Sequence, residues 1–276
     1  MAHTQHEASC PDVAPKECSE QEIPIHNHNQ KLLYINWNHN FVYMLTSEWQ
    51  IGLQIPFQMR QVRISYQLQD GSDYTPPYAG LHHRDEDLWG IGDPQIFTRS
   101  IFWFQSWGVM PEIGTTIPLG RIEDNPYFQA QENEFHQHIQ MGTGTFVPSL
   151  SLTIFLDELQ WGMLHSVSQD IPMYENKNNY TPGMNTNWSL GYWKRIHPKY
   201  IVMSQIRGKH ESPERWMDLP YGGQDALAIN LATLIRIHPL WEIGAQIEKN
   251  LWIQSRESEE EALNPSLIWN LNITYQ

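Results

Sequence analysis

Thirteen histidines are spread along this chain, and several sit among carboxylates. His82 and His83 precede Asp85, Glu86 and Asp87, while His136 and His138 follow Glu132 and Glu134. Imidazole and carboxylate at that density suit a borderline divalent metal such as zinc or copper. A His-x-His pair in an extended segment also puts both rings on one face. The candidate metal set is therefore His82, His83, Asp85, His136 and His138, with acidic hydrated loops that merely contain histidines as the plainer explanation. His26 and His28 repeat the spacing near the N-terminus. LHSVS offers His165 beside Ser166 and Ser168, the residue types of an activated hydroxyl. In a strand, however, the neighbours on the His165 face are Met163 and Val167, so no serine is placed for activation. No enzyme and no cofactor is expected, beyond a divalent metal at the histidines.

A second set of polar residues is ordered by spacing. Arg63, Glu112, Arg236, Glu242 and Gln246 each stand between apolar neighbours at a period of two, and Glu248 continues the series past Ile247. From Leu227 the odd positions read Leu, Ile, Leu, Thr, Ile, Ile, and the even positions carry Asn230, Arg236 and His238. Trp241, Ile243, Ala245 and Ile247 then oppose Glu242, Gly244, Gln246 and Glu248, and Trp269, Leu271, Ile273 and Tyr275 oppose Asn270, Asn272 and Thr274. Successive strand side chains point to opposite faces, so each segment is a ribbon with one greasy and one wet side. His39 and Lys249 fall on the greasy side as misfits.

This alternation predicts about twelve strands, near 32–45, 49–57, 61–69, 95–105, 108–119, 138–156, 160–169, 184–194, 199–208 and the last three segments quoted. Residues 1–30 are polar, hold Pro11, Pro15 and Pro24, and read as a periplasmic tail or small plug ahead of a barrel over 31–276. Links between strands alternate long and short after the first hairpin, with FQMR, QSWG, DELQ, IHPK and HPL as the short ones. Short turns on one side and long loops on the other are the habit of outer-membrane barrels. A soluble sandwich or lipocalin-like barrel fits the alternation equally well but has no reason to sort its loops. The expectation is an all-β, antiparallel transmembrane barrel of about twelve strands, with both termini on the periplasmic side.

Composition agrees. Twelve Trp and twelve Tyr in 276 residues favour a membrane–water interface. Only 40% of the chain is hydrophobic, and no run of about 18 apolar residues exists for a transmembrane helix. A net charge of −14 excludes nucleic acid as a partner, because binding it needs a basic face. The two cysteines, Cys10 and Cys18, could close a small loop in an oxidising compartment. MAHTQHEASC lacks the apolar stretch of a secretory signal, so for an exported barrel the chain would be a mature or re-engineered form.

GIGDP at 90–94 and VMPEIGTTIPLG at 109–120 give a Gly-x-Gly-Asp entry to one strand and a Pro-x-Ile-Gly-x-x-Ile-Pro-x-Gly in the next hairpin. This resembles a broad family of Gram-negative outer-membrane "transporter" barrels, often labelled for the meta pathway of phenol degradation. The resemblance covers most of 31–276 and implies a porin-like channel for small, including aromatic, solutes, with the lipid bilayer as its other partner. Taken on physical grounds alone, the glycines are turn or bulge positions and Asp93 a turn acceptor. The expected function is passage of small hydrophilic or amphipathic solutes past the lumen-facing Arg63, Glu112, Arg236, Glu242, Gln246 and Glu248. A closed barrel acting as a structural or complex-forming surface protein, and a metal-capturing receptor, are the alternatives.

Overall fold

The computed structural model describes residues 2–7, 24–76, 85–124, 140–255 and 268–275. Its strands run in chain order as β1 (Ala2–Glu7), β2 (His26–Met44), β3 (Trp49–Leu68), β4 (Asp73–Tyr74), β5 (Glu86–Ile91) and β6 (Gln95–Ser100). Next come β7 (Phe102–Phe104), β8 (Trp107–Thr116), β9 (Pro148–Asp157), β10 (Trp161–Asp170), β11 (Tyr180–Thr181) and β12 (Asn185–His197). The remainder are β13 (Tyr200–Glu211), β14 (Glu214–Trp216), β15 (Leu219–Tyr221), β16 (Gln224–His238), β17 (Trp241–Ser255) and β18 (Ile268–Tyr275).

Among the described residues, eleven strands close into one barrel: β2, β3, β6, β8, β9, β10, β12, β13, β16, β17 and β18, with β18 returning to β2. Neither the twelve strands nor the fully antiparallel order expected from sequence is found. The segments 49–57 and 61–69 are one continuous strand, β3, paired along its length with β2 from Gln50–Met44 to Leu68–His26. The supposed turn FQMR holds no Gly, Pro, Asn or Asp to reverse the chain, and it stays extended. Each hairpin reverses direction, so with an odd count the first and last strands run the same way. β18 accordingly pairs β2 in parallel, Trp269 opposite Ile35 through Tyr275 opposite Phe41.

Eleven strands also remove the exception in the loop pattern. The links 45–48, 105–106, 158–160, 198–199 and 239–240 are all short and lie at one end. The strand ends that flank the long links 69–85, 117–147, 171–184, 212–223 and 256–267 all lie at the other. β2 enters from the long-loop end and Tyr275 finishes at the short-turn end, so the wall begins and ends at opposite rims, not together. The wall starts at His26, and β1 lies against its first turn of sequence, Ala2 opposite Lys31 and Glu7 opposite His26. Cys10 and Cys18 lie outside the described residues.

The greasy faces look outward. Trp37, Phe41, Ile113, Leu231 and Trp269 are exposed, and Trp241 at 39% exposure is on the outer surface instead of in a central core. The few buried apolar side chains, among them Val62, Tyr66, Leu88, Val147 and Trp216, gather toward the long-loop end. An exposed apolar belt around a closed barrel is the arrangement for lipid contact, where closure leaves no unpaired strand edge. His39 finds its place on this face between the rings of Trp37 and Phe57, with centroids 5.3 and 5.4 Å away. His165 also faces outward, and its Nδ1 meets the Ser189 carbonyl at 3.0 Å, which satisfies that nitrogen against the neighbouring strand.

Candidate functional site: the barrel lumen

The inward face carries polar side chains from one end of the wall to the other. Along the parallel seam Asn36 Nδ2 donates to Asn270 Oδ1 at 3.3 Å and Asn38 Nδ2 to Asn272 Oδ1 at 3.2 Å. The two strands are in register here, so like residues fall side by side and form a short amide ladder. On the opposite wall Ser166 and Ser189 share a hydrogen bond of 2.7 Å across β10 and β12. Ser166 and His165 thus point to opposite faces of β10.

Five of the six residues assigned to the lumen from sequence face inward, and their charged members are paired. Arg236 donates from Nε and Nη2 to Glu242 Oε1 at 2.9 and 2.7 Å. Glu248 accepts from Arg207 on β13, two strands away, and Gln246 Oε1 accepts from Asn230 Nδ2 at 3.4 Å. Glu112 stands 3.7 Å from Arg99 Nη1 on β6. Arg99 Nε also donates to Gln50 Oε1 at 2.7 Å. Buried charges need such partners, because an isolated one in a low-dielectric wall is costly. Asn40, Gln54, Phe97, Arg99, Glu112 and Thr274 border a lumen cavity of about 280 Å³.

Arg63 is the sixth, and it lies on the outer side of β3. With no turn at FQMR the parity of β3 is unbroken, so odd residues stay outward and Arg63 reaches Asp87 on β5 at 2.8 Å. The Arg63 hydrogen bond holds the Asp87 carboxyl below its ordinary value. This pair lies above the apolar belt, where Ser65 is also exposed. Of the candidate metal set only Asp85 is described, and its Oδ1 accepts the Ile64 amide at 2.7 Å. His82, His83, His136 and His138 lie outside the described residues.

Sequence reasoning missed Arg99, Arg207 and Lys209 as lumen charges, although each stands at the alternate positions of its strand. It also missed what the glycine-rich motif does. Asp93 is not a local turn acceptor: its Oδ1 accepts the Gly120 amide at 2.8 Å, and its Oδ2 accepts the Thr143 amide at 2.6 Å and hydroxyl at 2.8 Å. It ties the break between β5 and β6 to both ends of the β8–β9 loop. A Cβ on Gly120 would stand 2.6 Å from the Gly142 Cα, and one on Gly142 would stand 2.6 Å from Asp93 Oδ1, so the knot closes only on glycines. Beyond it, Asn176 Nδ2 donates to the Thr143 carbonyl at 2.9 Å, joining the β10–β12 loop to the same assembly.

That loop continues into a three-stranded sheet, β11–β14–β15, at the long-loop end. Tyr180 packs on Trp216, ring centroids 4.7 Å apart, and donates to Glu214 Oε2 at 2.8 Å. Burial, with Glu214 beside it, pushes the Tyr180 phenol well above its ordinary value. Below it, on the inner face, the Arg60 guanidinium of β3 stands 5.5 Å from the ring centroid of Tyr34 on the neighbouring β2.

No family model matches the chain, and no curated protein does. Among solved structures it is similar to the crystal structure of an outer membrane channel from Pseudomonas putida F1. The TM-score is 0.54 at 12% sequence identity, over 99% of this chain and 91% of that one. At that identity the likeness is one of fold, and taken with the outward apolar belt and polar interior it identifies the chain as a β-barrel of the bacterial outer-membrane type.

Proposed function

We propose that the chain forms a passive channel for small hydrophilic or amphipathic solutes across a bacterial outer membrane. The observation that carries this reading is the series of polar and charged side chains on the inner face, from the Asn36–Asn270 ladder to the Arg236–Glu242 pair at the short-turn end. A barrel that served only as a surface scaffold gains nothing from keeping charged pairs along its axis, since well-packed apolar residues serve stability as well. Solutes would move by diffusion past these side chains, with no covalent step. An outer-membrane channel as the fold neighbour supports the same reading.

A closed barrel is the second reading, favoured by one observation: the β11–β14–β15 sheet and the Asp93 knot gather the long loops at one mouth. Purified protein in planar bilayers separates the two. Discrete conductance steps are the expected result, and silence at every voltage would remove the channel reading.

A further inference from the structure

The short-turn mouth holds a cavity of about 420 Å³, within the range of small-molecule sites. Arg195 through Lys199 line it, joined by Arg236 from a second copy of the same turn: Arg-Ile-His-Pro stands at 195–198 and again at 236–239, on hairpins whose strands β13 and β16 are neighbours. In each copy the histidine Nδ1 accepts the backbone amide two residues on, from Lys199 and from Leu240, both at 3.2 Å. The repeat delivers Arg195 and Arg236 to the same inward rim.

The charges there are unbalanced. Arg195 spends one Nη1 on the Leu159 carbonyl at 3.0 Å, and neither it nor Lys199 has a carboxylate partner among the described residues. Glu242 is the one carboxylate lining the cavity, and Arg236 covers it: the Glu242 side chain is 11% exposed while that of Arg236 is 56% exposed. The cavity therefore presents guanidinium and ammonium groups, in a chain whose net charge is −14. Beside Gln160 and His197, its other lining side chains are aliphatic, among them Pro198, Ile201 and Leu234.

We infer that the short-turn mouth binds a small amphipathic monoanion, a carboxylate on an aliphatic body. The carboxylate would lie between Arg195 and Lys199, with its chain on Ile201 and Leu234. Arg suits this task because its planar fork matches a carboxylate, and Lys adds a mobile point charge. As a statement about which solute the lumen takes, this rests on the channel reading, but the binding itself does not.

The test is calorimetric titration of the full chain in detergent with hexanoate, using hexanamide as the neutral counterpart of the same shape. Hexanoate is expected to bind and hexanamide to bind at least about tenfold more weakly, one charged hydrogen bond being enough for that ratio. The Arg195→Gln, Lys199→Gln double variant should lose the preference. Lys199→Gln alone, at an exposed turn position, should weaken hexanoate and leave hexanamide unchanged even where the double variant folds poorly. Equal binding of the two probes, or hexanoate binding indifferent to Lys199→Gln, would overturn the site. Bilayer recordings keep the two ideas apart: binding without conductance would remove the channel and keep the site, and conductance without binding the reverse.

Discussion

Asp93→Ala is expected to free the β8–β9 loop from the barrel mouth and to cost about 3 kcal/mol of stability. Three donors converge on this carboxylate, the Gly120 amide and the Thr143 amide and hydroxyl, beside the Ile117 amide that donates to the Pro94 carbonyl at 2.7 Å. A hydrogen bond to a charged acceptor contributes more than a neutral one, and its removal leaves half-buried amides unpaired. Asp93→Asn keeps one acceptor oxygen, so roughly half the loss should return. The loop held by Asp93 is also the one Asn176 and Tyr174 grip, through Thr143 O and the Phe146 amide. Loosening it should therefore raise the frequency of open-channel events as well as lower the unfolding temperature. Both are measurable on the same preparation, by heat-dependent gel mobility and by bilayer recording. Unfolding and gating indistinguishable from the parent chain would show that Asp93 holds nothing.

The sequence alternation located most of the wall because the membrane and the lumen impose opposite solvents on the two faces of each strand. Trp241 through Ile247 outward and Glu242 through Glu248 inward follow from nothing more. β3 escaped that logic because it leaves the membrane halfway. From Trp49 to Met59 its odd residues meet lipid and its even ones the lumen. Past Arg60 the odd residues meet water and the even ones meet packed loops, so Val62 and Tyr66 are buried while Ser65 is exposed. The backbone parity never changes, but the polarity of the two faces swaps. Read from the sequence, the swap looks like a turn, and the turn sends Arg63 to the wrong side. The charges that pair inside the barrel were half legible: Glu112 stood out on a clear strand, while Arg99 sits on a short β6 broken from β5 at Gly92–Pro94. The Asp93 knot was not legible, since its partners are 27 and 50 residues away.

Gly52→Ala is expected to narrow the lumen, and the reason is a device used four times in the wall. Gly52, Gly108, Gly162 and Gly208 stand directly opposite Phe97, Phe155, Trp193 and Trp188 on neighbouring strands. In each pair the ring lies flat across the glycine, so closely that a Cβ would come within 2.1 to 2.5 Å of a ring atom. The first three pairs are on the inner face, where a large side chain pointing along the radius would fill the pore. Laid on a glycine, the same ring becomes part of the wall. Phe97 borders the lumen cavity, and the Arg99 guanidinium stands 5.3 Å from its ring. The three atoms nearest a methyl at position 52 all belong to the Phe97 ring, a side chain that can swing inward, so the barrel should still close. The displaced ring would enter the space between Asn40 and Glu112 and disturb the Arg99–Glu112 pair. A loss of about 1–3 kcal/mol from overpacking should accompany a fall in single-channel conductance. Adding Phe97→Ala to Gly52→Ala should restore the conductance, because the obstruction is the ring and not the methyl. A single variant that conducts like the parent, or a double variant that stays narrow, would mean that Phe97 does not set the width of the path.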